Sequence, residues 1–256
     1  MIDGLITPAI EMFRSNFKYA KPPIQEAICE IHFSVDEPLS SDRIGQLKEV
    51  WAAEYPDQKL NEEKEVKVEV GPDGVRVVED KMGHRLVCRT GDACRLVQLS
   101  GRFLAVNQLK PYPGWEEGFR DTIAARAGEV QARLGPFEIG RLGLRYINKI
   151  DVPQVPFAWE DWFNFRLPVP ELKGAVRGPF QMRFEQQIKG SCNLIVNSVS
   201  LPSVGDCTPV ILDLDVVWIG KPASAVRLSK LLETVHAPHR LAFEAYMTDK
   251  LREQFS

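Results

Sequence analysis

Arg141, Arg145 and Lys149 recur every fourth residue, with Gly143 and Ile147 between them, and Leu142, Leu144, Tyr146, Asn148 and Ile150 fill the alternate positions. A strand over residues 138–151 therefore carries its cations on one face and apolar side chains with a single amide on the other. Planar guanidinium forks suit a phosphate or a carboxylate. The competing use is structural. Glu26, Glu30 and His32 share a face of an earlier strand, Ile24–Val35. If the two strands are neighbours, acid meets base across the ladder, each pair contributing about 0.2–1 kcal/mol. The candidate ligand-binding set is thus Arg141, Arg145, Lys149, Asn148, Glu26 and Glu30, with a charge ladder as the simpler explanation of the same residues. Asn148, on the apolar face, needs a partner or costs about 1–3 kcal/mol.

Asp213-x-Asp215 alternates with Leu212, Leu214 and Val216, so both carboxylates leave one face of a strand. Magnesium on a nucleotide phosphate is the chemistry such a pair offers, but a lone Asp-x-Asp is also an ordinary polar strand face. No Gly-x-x-x-x-Gly-Lys-Ser loop, Gly-x-Gly-x-x-Gly turn or Gly-x-Ser-x-Gly elbow accompanies it. His236-x-x-His239 is shorter than the spacing of zinc helices, and Pro238 interrupts it. The five cysteines, 29, 88, 94, 192 and 207, include no Cys-x-x-Cys pair, and Cys88 and Cys94 face each other at most as two thiols across a hairpin. No catalytic set, resident metal or cofactor is expected. Lys110-Pro111-Tyr112-Pro113-Gly114-Trp115 reads first as a structural turn that seats a helix. Its Lys110, Tyr112 and Trp115 are the candidates for partner contact.

The elements that position these residues follow from periodicity. After the strand at 24–35, Ser40 or Ser41 caps a helix to about Ala53, with Ile44, Leu47, Val50 and Trp51 at helical spacing. Val66–Val70, the turn Gly71-Pro72-Asp73-Gly74 and Val75–Glu79 make a hairpin, and short strands follow near 84–89, 94–100 and 102–107. A helix over about 114–133 stops at Gly135-Pro136. The second half repeats the order: the strand at 138–151, a short helix at 158–165 between proline-rich connections, strands near 179–189, 192–200 and 209–219, and a helical segment from Ser224 to Phe255 kinked or divided at Pro238. This predicts an α+β fold in one domain of 256 residues. It has a large antiparallel sheet with two long helices packed on one face, pseudo-duplicated as β-α-β(n)-α over about 20–135 and 136–256, in the manner of TATA-binding-protein-like or helix-grip folds.

Composition narrows the class. The chain is 44% hydrophobic and 26% charged, which supports a packed core. A net charge of −3 argues against a surface built to grip nucleic acid. Residues 20–80 hold 7 basic and 15 acidic side chains, and residues 81–150 hold 12 basic and 6 acidic; the simplest expectation is that the two stretches neutralise each other. An odd number of cysteines, an opening stretch without a secretory layout and no apolar run of about 20 residues predict a cytoplasmic protein away from the membrane.

Four segments together carry a resemblance: Pro22–Phe33, Leu109–Trp115, Arg141–Ile150 and Phe243–Leu251. In that order they resemble the sporadically distributed bacterial TIGR04255 family, over nearly the whole chain. That family's usual closing helix is uninterrupted where this chain has Pro238. The resemblance implies a scaffold of this length and, by association with mobile genes, a place in phage-defence or toxin–antitoxin loci; it implies no catalytic residue. The function expected is a non-catalytic binding or accessory protein acting through protein–protein contacts, able to self-associate as a homo-oligomer. The alternative is a nucleotide- or phosphorylated-ligand enzyme using Arg141 and Arg145 with Asp213 and Asp215.

Overall fold

The computed structural model describes residues 18–71, 74–153, 159–165, 179–188 and 191–256, with side chains throughout except at 64–82. The turn residues Pro72 and Asp73 and the proline-rich connections at 154–156 and 168–170 lie outside the described residues. The strands are β1 (Ile24–Phe33), β2 (Asp57–Gly71), β3 (Gly74–Arg89), β4 (Arg95–Ser100), β5 (Phe103–Leu109), β6 (Glu138–Val152), β7 (Gln181–Ile188), β8 (Cys192–Ser200) and β9 (Thr208–Ser224). They form one antiparallel sheet in the order β2-β3-β4-β5-β1-β6-β9-β8-β7. The first strands of the two expected halves are thus neighbours at its middle, and the fold is α+β.

Contacts divide the chain into two compact units, each interleaved in sequence. One holds residues 27–143 and 219–232; the other holds the described residues up to 26, with 144–218 and 233–256.

In the first unit, helix α1 (Ser41–Trp51) starts where the Ser40 side chain accepts from the Arg43 amide, as its residue type favours. Ile44, Leu47 and Trp51 are buried, whereas Val50 is exposed: at 100° per residue it falls off the stripe that the other three share. The expected strand near 84–89 is the end of one long β3, whose register with β2 slips once, between Glu63 and Lys64. Cys88 stands opposite Val97 rather than Cys94, which sits in the turn before β4. A π-helical turn, Trp115–Phe119, leads into α2 (Arg120–Leu134). Gly114 makes that entry with φ 101°, where a β-carbon would run into the Glu117 carboxylate. Ile123, Ala127, Val130 and Leu134 are buried along α2, and Arg43 donates to the Leu134 carbonyl to close its C-terminus.

In the second unit, Leu144, Tyr146, Asn148 and Ile150 of β6 are buried with Leu194 and Val196 of β8 and Leu212, Leu214 and Val216 of β9. The short helix is α3 (Trp159–Trp162). Helix α4 (Leu228–Tyr246) continues through Pro238. The division comes later, at Met247-Thr248, where Thr248 caps α5 (Asp249–Phe255) by accepting from the Leu251 amide. Thr248 Oγ1 also donates to the carbonyls of Asp161 and Trp162. The break therefore sits where a threonine is anchored to α3, and not at the proline.

Candidate functional site

The cations of β6 do lie on its half-exposed face, with Leu144, Tyr146, Asn148 and Ile150 on the buried one. In the second unit, Arg145 donates from Nε to Asp213 Oδ1 at 2.8 Å and from a terminal nitrogen to Asp213 Oδ2 at 2.7 Å. This two-armed pairing uses the planar geometry that made the arginine a phosphate candidate. Asp213 is 5% exposed and also accepts from Asn197 Nδ2 at 3.0 Å. Asn197 in turn accepts from Arg183 at 2.9 Å, and Arg183 pairs with Glu185 at 2.5 Å. The register puts Arg183 opposite Asn197 and Asn197 opposite Asp213. One hydrogen-bonded row thus crosses β7, β8, β9 and β6. The pairing raises the Arg145 pKa: its hydrogen bonds to Asp213 come first, with Asp213, Asp215 and Glu26 adding attraction against burial.

Around this row, Lys149 pairs with Asp151 at 3.2 Å. Asp215 stands opposite Ile195, two residues along β9 from Asp213 and on the same face. Asn148 is 1% exposed; its Nδ2 donates to the Leu212 carbonyl at 3.0 Å and the Tyr146 carbonyl at 3.3 Å. It ties β6 to β9 from beneath, the backbone contact expected of a buried amide. His239 is also buried, its ring 4.4 Å from that of Tyr146, with Nε2 donating to the Leu214 carbonyl at 3.1 Å. Burial pushes its pKa down to about 4. His236 lies 4.0 Å from Glu233. Among the described residues there is no group of three or more His, Cys, Asp or Glu able to hold a metal ion.

In the first unit, Arg141 donates to Glu30 Oε2 at 3.1 Å and lies 2.7 Å from His32 Nε2. The same His32 nitrogen is 3.2 Å from Glu30. A hydrogen bond from His32, with Arg141 beside it, holds the Glu30 carboxyl down at about 2. One nitrogen cannot donate to Glu30 while accepting from Arg141, so the tautomer of the ring selects which of the two contacts it makes. Acid does meet base here between β1 and β6. Arg145 departs from that pattern, since its partner comes from β9.

Ion pairs link the acidic and basic stretches of the sequence in this unit. Glu63 pairs with Arg85, Glu54 with both Arg95 at 2.6 Å and Arg126 at 3.0 Å, and Glu30 with Arg141. Sequence reasoning missed the cluster around Glu54. Arg126 is 9% exposed on α2 and also pairs with Glu129 at 3.0 Å, which accepts from Trp51 Nε1 at 2.6 Å. Tyr55 lies under the two guanidiniums, and burial, then the Glu54 charge, pushes its hydroxyl up to about 12. An i,i+3 Arg–Glu pair flanking the apolar stripe of α2 was the available signal. Of the turn candidates, Lys110 is exposed and Tyr112 partly so, but Trp115 is buried and packs edge-on against Phe119. The structural use of that turn is the one observed for Trp115.

A second missed cluster joins the start of the described chain to its end. Tyr19 donates to both oxygens of buried Glu244, at 2.9 and 3.0 Å, while Arg252 donates to Glu244 at 3.1 Å. Burial, and then the Glu244 carboxylate, raises the Tyr19 pKa. No helix among the described residues is long and apolar enough to cross a membrane. No family model matches the chain, and no curated protein matches it.

Proposed function

We propose that the protein is a non-catalytic cytoplasmic binding module whose polar sheet face, around Glu26, Arg145 and Lys149, meets a partner protein. The observation that carries this reading is the two-armed pairing of Arg145 with Asp213. Arg145 gives two of its five N–H donors to Asp213, which also accepts from Asn197. The enzyme alternative requires this two-armed contact to break before the Arg145 fork grips a phosphate or Asp213 turns to a magnesium ion. A hydrogen-bonded face bearing half-exposed Lys149 and Asp151 instead suits a polar protein surface, where charge sets register and partner choice. Membership of the TIGR04255 family and a place in defence-type gene clusters belong to the same proposal, and rest on the resemblance of Arg141–Ile150 and Leu109–Trp115.

Quantitative copurification at native abundance, with crosslinking, tests it. A stoichiometric protein should be recovered with the wild-type chain and lost with Lys149→Glu, while Val226→Ser, at a position 84% exposed on the other unit, should retain it. A chain that stays alone, or recovery indifferent to Lys149→Glu, overturns the reading.

A further inference from the structure

The two ends of the sheet differ. At one end β2 breaks register with β3, a device that twists an edge away from further pairing. At the other, β7 pairs with β8 without interruption from Gln181–Val199 to Ile188–Cys192, contains no proline and, among the described residues, is the terminal strand. Its polar side presents Arg183 and Glu185, 54% and 56% exposed. Its apolar side carries Phe184, opposite buried Val196 yet itself 37% exposed.

We infer that β7 is a self-pairing edge, joining antiparallel to β7 of a second copy of this chain. The register follows from symmetry. A two-fold axis perpendicular to a continuous sheet keeps each side chain on its own face, so the axis must pass through a residue paired with its own copy. Centring on Arg183 or on Glu185 sets like charges opposite each other, which is destabilising. Centring on Phe184 sets Phe184 against Phe184, Arg183 against Glu185 on both sides, and Gln181 against Gln187. Only that choice both opposes unlike charges and covers the exposed ring. The inference is independent of which protein the face around Lys149 meets.

Charge swapping tests it. Sedimentation of the full chain should give a dimer of two 28.9 kDa subunits. Arg183→Glu and Glu185→Arg singly should each weaken the dimer about tenfold or more, and the double variant Arg183→Glu/Glu185→Arg should restore it. Opposed Cα atoms lie about 4.5–5.5 Å apart, within disulfide reach. Phe184→Cys should therefore give an interchain disulfide under mild oxidation that the wild type does not form. Gln187→Cys should not, its copies being roughly 20 Å apart at 3.3 Å per residue. A monomer at all concentrations overturns the inference, as does a dimer that tolerates both single reversals or in which Phe184→Cys fails to crosslink. Neither result bears on loss of the partner by Lys149→Glu.

Discussion

The thiol of Cys192 lies 3.9 Å from the carbonyl oxygen of Thr234, four residues before Pro238, whose ring nitrogen carries no hydrogen for that carbonyl. A proline inside a helix costs roughly 3 kcal/mol relative to alanine, because it removes one hydrogen bond and crowds that same carbonyl. The thiol from β8 is a weak donor to it. Pro238→Ala restores the amide but frees the unfolded chain, which offsets about 1 kcal/mol. It should stabilise the protein by about 1–2 kcal/mol, read by denaturant unfolding. Cys192→Ala should cost more in the wild type than in the Pro238→Ala background. Equal costs in the two backgrounds would refute the thiol's role.

That pair also marks the boundary of what the sequence made legible. Strand alternation is local, so the two faces of β6 and the order of elements were readable from Arg141 to Ile150 and from turn residues. The partner of Arg145 was not, because register between distant strands is fixed by the whole sheet; Asp213 lies 68 positions away in the chain. The thiol beside Thr234 was not readable for the same reason, since Cys192 lies 42 positions away in the chain. Thr248 before Asp249 was a readable cap signal. Arg126 and Glu244 were missed because a buried charge is visible only once its partners are in place.

Arg145 and Asp213 should behave as a unit. Removing the arginine strands a carboxylate that is 7% exposed in its side chain, leaving Asn197 alone to support it. Arg145→Met should cost about 3 kcal/mol, and Arg145→Met/Asp213→Leu should recover most of that. A double-mutant cycle in urea measures the coupling, which should exceed about 1 kcal/mol. Additive single effects would mean that the pair is held by the sheet and does not help to hold it.

The bond from Tyr19 to Glu244 should be felt at the far end of the chain. Glu244 is buried and its carboxylate is shared by Tyr19 and Arg252, so Tyr19→Phe removes a hydrogen bond to a charged group, of about 1.5–3 kcal/mol. Amide exchange should accelerate first in α5, whose Arg252 would be left to hold the acid. Exchange that rises uniformly across the chain, or does not rise at all, would show that Tyr19 is packing and not a latch.

His239 makes the stability pH-dependent. Its pKa falls from 6.5 to about 4 in the folded state because burial against Tyr146 disfavours the charged ring, outweighing the hydrogen bond to the Leu214 carbonyl, which favours it. Between those two values the unfolded chain binds a proton that the folded one does not, so stability rises with pH across the window. The contribution is fully present above about pH 6.5 and is lost as the pH falls towards 4, about 3 kcal/mol in all. The carboxyl of Glu30, held at about 2, begins to lose its own contribution as the pH falls through its ordinary value of 4.5. The interval from pH 6.5 to 5 therefore isolates the histidine. Wild-type unfolding free energies should fall across that interval, and those of His239→Met should fall by distinctly less. Parallel profiles for the two proteins would show that the ring is accessible to protons in the folded state and that its packing on Tyr146 is loose.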